Sequence, residues 1–230
     1  MKNKDTLETL INFWNAALTM SEEDKKEIKA AADDNNYVEF APADKLVKAL
    51  DNLLNADKIL DYGCGSGWAS LILAKKGAKY VKGVDTSTSG IEAGKFLLET
   101  YNVKEKVDLE VIDEAWLERQ NPDSFDGGFC SNVLDVLPIE ISQKIIENLH
   151  KVLKKDAVLV VGLNFYADPK IKPLEENKYI YLDGVLRLLS LSDDEWRQMF
   201  APYFEIINLD YFAWPGETSE RRRLFVMKNK

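Results

Sequence analysis

The chain has 230 residues, of which 46% are hydrophobic and 30% are charged, and its formal net charge is −9. This composition is typical of one globular domain of α/β size, and no apolar run reaches the roughly 20 residues of a membrane helix. The acidic balance argues against a free nucleic acid as substrate, because phosphates are repelled, and the basic cluster Arg221–Arg223 stands beside two glutamates.

Residues 1–54 are predicted to form a helical cap or lid. Three helical stretches are expected there, in "DTLETLINFWNAAL", "SEEDKKEIKAAADD" and "APADKLVKALDNLL". Leu7, Leu10 and Trp14 recur at helical spacing in the first, and Ser21 is a suitable N-cap for the second.

Residues 55–230 are predicted to form one compact α/β unit. Five β-rich runs alternate with helical runs, in "DKILDYG", "YVKGVD", "VDLEVID", "SFDGGFCSNVL" and "DAVLVVGLNF". Such alternation favours a parallel sheet with helices on both faces. An aromatic insert at about 166–190 is expected to be irregular, and two closing β runs are expected to pair antiparallel. The predicted fold is a three-layer α-β-α sandwich with a doubly wound, mostly parallel seven-stranded sheet.

A glycine loop, "DYGCGSGWAS", joins the first strand to its helix, with Gly63, Gly65 and Gly67 at alternate positions. Glycines here allow positive φ angles and a close approach of a ligand to the backbone. A dinucleotide-binding loop has its third glycine where this chain has Trp68, and the Lys-Ser/Thr pair of a P-loop is absent from the motif. A nicotinamide- or flavin-dependent oxidoreductase is therefore disfavoured.

The stretch "LDYGCGSGWASLILAKKGA" resembles the first motif of class I S-adenosylmethionine (SAM)-dependent methyltransferases, a hydrophobic residue followed by Asp/Glu-x-Gly-x-Gly-x-Gly. The resemblance runs from about Lys58 to Phe165 and includes the terminal strand pair. It implies a Rossmann-like fold, SAM as cofactor and S-adenosylhomocysteine as product. It also implies a cofactor-binding role for the first acid and for the loop, namely Asp61, Gly63, Cys64, Gly65 and Gly67, with Asp61 near the methionine end.

The ends of the second and third strands supply further cofactor candidates. Asp85 ends the second strand about 20 residues after the first glycine, where a carboxylate can accept from the ribose hydroxyls. Its alternative role is to cap the next helix. Thr86 is expected to border the ribose or the methionine part. The resemblance places Asp113, Glu114 and Ala115 near the adenine, although which acid points inward stays open, as does a surface turn without ligand contact.

The end of the fourth strand supplies Ser131 and Asn132 as candidates for the SAM side. Asp135 occupies a place where many relatives of the family carry histidine. It is a candidate catalytic base, and its alternative role is that of a helix-start residue facing solvent.

The substrate is expected beyond the carboxyl ends of the strands, where open α/β sheets bind their ligands. Aromatic and polar side chains are candidates to wall that pocket: Trp14, Tyr37, Phe40, Tyr166, Asp168, Tyr179, Tyr181 and Arg187. Tyr166 is also a catalytic candidate. The alternative is that these aromatic residues serve core or lid packing.

The sequence therefore predicts a SAM-dependent methyltransferase that acts on a small molecule by in-line displacement. A protein side-chain methyltransferase and a non-catalytic SAM-binding protein of the same fold are the alternatives. One histidine and two cysteines make a zinc site improbable, and the low cysteine content favours the cytoplasm. No membrane partner is expected, while the acceptor and the oligomeric state stay open.

Overall fold

The computed structural model describes residues 2–33, 35–167 and 178–230, with side chains from residue 6 onward. Within these ranges the helices are α1 Lys2–Ala17, α2 Glu22–Ala31, α3 Asp44–Ala49, α4 Trp68–Lys75, α5 Thr88–Thr100, α6 Ile139–Val152 and α7 Asp193–Phe200. The strands are β1 Lys58–Tyr62, β2 Tyr80–Asp85, β3 Val107–Val111, β4 Phe125–Ser131, β5 Leu153–Leu163, β6 Tyr179–Leu182, β7 Val185–Leu189, β8 Phe204–Phe212 and β9 Arg222–Asn229. Short 3₁₀ segments lie at Asn36–Phe40, Leu50–Leu53, Leu117–Arg119 and Leu134–Val136.

The main sheet has, in the described residues, seven strands in the order β3-β2-β1-β4-β5-β9-β8. Strands β1 to β5 pair in parallel, whereas β9 runs antiparallel to both of its neighbours. The chain winds outward from β1 in one direction and from β4 in the other, so the strand order reverses between these two central strands. The prediction of a mostly parallel sheet with a terminal antiparallel pair is confirmed.

Two apolar cores lie on the two faces of this sheet. One face packs against α6 and α7, which bury Leu149, Trp196 and Phe200. The other face packs against α3, α4 and α5, with Leu71 and Leu97 almost fully buried. The three-layer sandwich is therefore present as predicted.

The helical N-terminal region divides between two positions. Leu46, Leu50 and Leu53 are buried in the core on one face of the sheet, so residues 44–53 belong to a layer of the sandwich. Helix α1 instead docks at the start of α5, where Asn15 Oδ1 accepts hydrogen bonds from Ser87 Oγ and the Ser89 amide. The division of the chain at residue 54 remains a prediction, and α1 is the element in the position of a cover.

The aromatic insert contains regular structure that the sequence prediction missed. Strands β6 and β7 form an antiparallel hairpin through Asp183 and Gly184, which both have positive φ angles, of 52° and 77°. An Asp-Gly pair between apolar runs is a strong hairpin signal, because type I′ turns need two such residues. The expectation of an irregular segment is therefore wrong for residues 179–189.

No helix in the described ranges has the length and apolar character that crossing a lipid bilayer requires.

Candidate active site

A cavity of about 680 Å³ opens at the carboxyl ends of the parallel strands, at the point where the strand order reverses. Open α/β sheets bind their ligands at this position because the loops that leave the two central strands diverge there. The residues that follow β1, β2, β3 and β4 all contribute to its wall, as does the loop after β8. The cover is formed by Leu7, Leu10, Ile11 and Trp14 of helix α1 and by Leu18, which directly follows the helix.

The glycine loop shapes the floor of the cavity. Gly63, Gly65 and Gly67 have φ angles of 72°, 53° and 70°, a region that side chains rarely allow. A Cβ atom on Gly63 would lie 2.1 Å from Val133 Cγ2, so the loop also fits tightly against the end of β4. Gly67 then serves as the N-cap residue of α4. The loop therefore presents bare backbone to the cavity, as the sequence predicted.

Two further glycines, which the sequence reading passed over, allow α5 to pack against the loop. A Cβ on Gly90 would lie 2.9 Å from the Gly65 carbonyl oxygen, and one on Gly94 would lie 3.0 Å from that of Ser66. The signal in the sequence that could have predicted this close approach is "GIEAG", in which two glycines lie one helical turn apart on the same face of the helix.

Asp85 ends β2 beside the glycine loop and lines the cavity. Its Oδ2 accepts from the Gly65 amide and its Oδ1 from the Ser87 amide, both at 2.8 Å. Burial raises the pKa of Asp85, and these two amide donors oppose the shift. A carboxylate offers about four acceptor positions, so capacity remains for donors from a ligand. Thr86 lines the cavity next to it.

Asp61 lies behind the loop instead of on the cavity wall. Only 1% of its surface is exposed, and its Oδ2 accepts from the amide and the hydroxyl of Ser70 at 3.1 and 2.6 Å. Burial raises the pKa of Asp61 to about 7 although both bonds from Ser70 oppose the shift. Asp61 thus joins β1 to the first turn of α4, and the structure gives it no direct contact with the cavity.

At the end of β3 the structure distinguishes between the two candidate acids. Glu114 and Ala115 line the cavity. Asp113 does not: its carboxylate faces outward and binds Arg119 at 2.8 Å, and this guanidinium holds its pKa below the ordinary value. Glu114 and Ala115 therefore remain candidates for the predicted adenine contact, whereas the turn after β3 directs the Asp113 side chain to solvent.

At the end of β4, Ser131 and Asn132 line the cavity as predicted. Asn132 has a φ angle of 57°, and its buried Oδ1 has no hydrogen-bond partner among the described residues. Asn tolerates this backbone conformation better than most residues. An acceptor atom without a donor in a ligand cavity is a fitting partner for a cationic ammonium group.

Asp135 is separated from the cavity. It is fully buried, its Oδ2 accepts from the Asn164 amide, and burial raises its pKa while the charge of Arg223 opposes this shift. Neither the predicted catalytic contact nor the alternative of a solvent-facing helix start agrees with this position. The 3₁₀ turn after β4 directs the side chain back into the protein, toward the start of the β5 exit loop.

The predicted substrate residues are dispersed. Trp14 and Phe40 line the cavity. Tyr37 lies beside Lys75, 5.8 Å from its Nζ, and is not part of the cavity wall. Tyr166 is 38% exposed and borders a separate surface depression.

The hairpin residues also stay outside the cavity. Tyr179 accepts a hydrogen bond from the Ile139 amide through its hydroxyl and contacts Tyr181, which is 40% exposed. Arg187 lies 4.0 Å above the ring of Phe13 and so ties the hairpin to α1. Asp168 lies outside the described residues.

The sequence reading missed several lining residues. Trp68 and Trp214 belong to the wall, and Trp68 packs edge-on against Phe129 at 5.5 Å between ring centroids. The sequence marks Trp68 only as the residue that excludes a dinucleotide loop. Trp214 follows β8, and no local sequence motif predicted that it would line the cavity. Its position depends on the antiparallel pairing of β8 with β9, which is a tertiary contact.

The residues present fit SAM. The bare backbone of the loop admits a close ligand, and Asp85 retains acceptor capacity for two hydroxyls. Glu114 lines the cavity, and Asn132 Oδ1 has no donor among the described residues. No cluster of three or more metal-ligating side chains occurs in the parts of the chain that the structure describes. The fold and this site together define the nucleoside-cofactor site of a class I methyltransferase.

The comparisons with known proteins agree. A family model described as "Methyltransferase domain" matches residues 53–200, so the chain belongs to this methyltransferase family. The predicted family and SAM cofactor are thereby confirmed, and the strand order described above confirms the Rossmann-like fold.

Individual relatives are distant. The chain is 25% identical over 153 residues to a ubiquinone biosynthesis O-methyltransferase of Neisseria meningitidis, and this alignment covers 65% of this chain and 60% of that protein. It is 36% identical over 104 residues to a ribosomal protein L11 methyltransferase of Thermosipho africanus, covering 45% of this chain and 36% of that protein. The chain thus spans at most about 60% of the length of these relatives.

Among solved structures, a Burkholderia thailandensis 1,6-didemethyltoxoflavin-N1-methyltransferase is similar to the chain over nearly its whole length. The TM-score is 0.71, the identity is 14%, and the alignment covers 99% of this chain and 90% of that one. That structure holds 1,6-didemethyltoxoflavin and S-adenosylhomocysteine. At this identity the likeness shows the shared fold.

Proposed function

We propose that this protein transfers the methyl group of SAM to a small-molecule acceptor. The observation that carries the proposal is the cavity of about 680 Å³ in which the glycine loop and the mostly apolar side chains of α1 face one space. A volume of this size is in the range of small-molecule sites. The names of a relative in ubiquinone biosynthesis and of a structural neighbour that binds 1,6-didemethyltoxoflavin are in keeping with such an acceptor.

The residues of this chain would bind and orient both reactants. Asp85 would accept hydrogen bonds from the ribose, Glu114 and Ala115 would border the adenine, and Asn132 would accept from the ammonium of the methionine part. The bound cofactor supplies an electrophilic methyl group on a sulfonium. Holding the attacking atom in line with that group is the main service of the protein, because proximity and orientation provide much of the rate.

Helix α1 would exclude water from this reaction. Leu10 is buried at 4% exposure, and Leu18 lies 3.6 Å from the position of a Cβ on Gly65. The cover is therefore packed directly above the loop that would hold the cofactor. A closed apolar chamber strengthens the polar contacts inside it, because competing water is absent.

A protein side-chain acceptor is the second candidate, and one observation favours it. The Thermosipho relative is named for a ribosomal protein, and it has the higher identity of the two relatives, although over a shorter stretch. A folded protein substrate would have to reach a cavity that α1 covers, and this cover argues for a small acceptor.

The test is a transfer assay with methyl-labelled SAM and a cell extract separated into a fraction below about 1 kDa and a protein fraction. We expect label in the small-molecule fraction, and we expect Asp85→Asn to abolish it. Label in the protein fraction alone would establish the second candidate. Binding of SAM without transfer to either fraction would instead identify a non-catalytic SAM-binding protein.

A further inference from the structure

Trp214 is held rigidly in the loop between β8 and β9. Its amide donates to Glu217 Oε2 at 2.9 Å, and its carbonyl oxygen accepts from the Glu217 amide at 3.0 Å. Arg222 lies 3.4 Å above the centroid of the indole ring and is itself bound to both carboxylate oxygens of Glu217, at 2.9 and 2.6 Å. The indole therefore has a fixed orientation in the wall of the cavity.

The indole nitrogen of this residue has no hydrogen-bond partner among the described residues, although it is buried. An unpaired buried donor costs about 1–3 kcal/mol, and such groups in native proteins call for an explanation. Trp196 has an unpaired indole nitrogen as well, but it lies in the core between sheet and helix and does not border the cavity. Of these two tryptophans in the described residues, Trp214 is the one that belongs to the cavity wall, so a ligand in the cavity is the candidate source of its missing acceptor.

The position of Trp214 separates it from the cofactor residues. It follows β8, which is the edge strand at the opposite end of the sheet from β3, whereas Asp85 ends β2 and Glu114 follows β3. Aromatic and apolar side chains surround the cavity between these ends, among them Trp14, Phe40 and Trp68. This is the part of the cavity that a flat acceptor would occupy.

We propose that Trp214 positions the methyl acceptor by donating its indole N–H to an oxygen or nitrogen lone pair on an aromatic small molecule. This inference rests on the proposed function and assigns an acceptor-positioning residue to the same site. The N–H is covered in the structure as it stands, so the side chains beside it must part when the acceptor enters.

The test uses protein loaded with S-adenosylhomocysteine and two matched probes, acetophenone and isopropylbenzene, in which a methyl group of the second replaces the carbonyl oxygen of the first. The indole N–H signals of the five tryptophans are followed in a ¹H–¹⁵N correlation spectrum of labelled protein, with the Trp214 signal assigned by its loss in Trp214→Phe. We expect the carbonyl probe to shift that signal downfield and to bind roughly tenfold tighter than the hydrocarbon analogue. The Trp196 signal is the internal control and should not move.

The Trp214→Phe variant should lose the preference for the carbonyl probe while its affinity for S-adenosylhomocysteine stays within about twofold. Equal binding of both probes, no binding of the carbonyl probe, or a Trp214 signal that moves with S-adenosylhomocysteine alone would each overturn the inference. Failure of S-adenosylhomocysteine to bind the wild-type protein would instead overturn the proposed function, so the two failures are distinguishable.

Discussion

Replacing Gly63 by alanine should destabilise the protein more than the same change at another glycine with positive φ. The φ angle of 72° strains any residue with a Cβ, at about 1–2 kcal/mol, and the new atom would lie 2.1 Å from Val133 Cγ2. Overpacking of this kind costs about 1–3 kcal/mol. Together we expect the free energy of unfolding to fall by about 2–5 kcal/mol.

Two further variants separate strain from overlap. Gly77→Ala has a φ angle of 105° but no described atom within 4 Å of its Cβ position, so it carries the strain alone. Val133→Ala removes the overlapping methyl group and leaves Val133 Cβ at 3.4 Å. The double variant Gly63→Ala/Val133→Ala should therefore lose about 1–3 kcal/mol less free energy of unfolding than the sum of the losses of the two single variants.

Urea unfolding of the four variants at constant m-value measures these differences. If Gly63→Ala costs no more than Gly77→Ala, or if Val133→Ala restores nothing, the close fit between loop and β4 is refuted. The fit matters because it fixes the loop against Asn132, the residue next to Val133.

Three other predictions follow from the site. Asp85→Asn should weaken the binding of S-adenosylhomocysteine about 100-fold in calorimetry, because charge-assisted hydrogen bonds are worth about 1.5–3 kcal/mol each. The control Asp113→Asn should change this affinity less than about twofold. Equal effects of the two substitutions would exclude the proposed ribose contact of Asp85. The free energy of unfolding of the wild type, relative to Asp61→Asn, should fall by on the order of 4 kcal/mol as the pH rises from about 4 to 8. The reason is that the pKa of Asp61 is about 7 in the folded state and 3.8 in the unfolded state, so the folded state holds an extra proton that is lost over this range. A difference between the two proteins that does not change with pH in urea unfolding would contradict this. Asn15→Ala removes the two hydrogen bonds that the Asn15 side chain accepts at the start of α5. Amide hydrogen exchange should become about tenfold faster in α1 and should not change in α4. Unchanged exchange in α1 would show that other contacts hold this helix in place.

The layers, the mostly parallel sheet and most of the residues that line the cavity beside the glycine loop could be predicted from the sequence. Periodicity separates strands from helices, and a glycine loop after the first strand places a ligand at the sheet edge. Asp85 could be identified because it ends a strand whose position in the sheet is fixed by the βαβ connection.

Side-chain direction within the loops was not accessible from the sequence. Asp113 and Glu114 are adjacent acids, and only the turn after β3 decides that the first binds Arg119 outside while the second faces the cavity. Asp135 was misplaced for the same reason, since one 3₁₀ turn directs it into the core.

Residues brought in by tertiary contacts were also out of reach. Trp214 enters the cavity wall through the return of β9 beside β5, and Arg222 fixes its ring from eight residues further along the chain. Tyr37 and Tyr166 show the reverse error: aromatic type suggested a pocket, whereas the packing of neighbouring elements placed both outside it.

The most direct test of the account is a calorimetric titration of the wild-type protein with S-adenosylhomocysteine and, in parallel, with NAD⁺. The account predicts micromolar binding of S-adenosylhomocysteine and no binding of NAD⁺, because Trp68 stands where a dinucleotide loop has its third glycine. Binding of NAD⁺ in place of S-adenosylhomocysteine, or of neither, would contradict the assignment of the cavity to SAM.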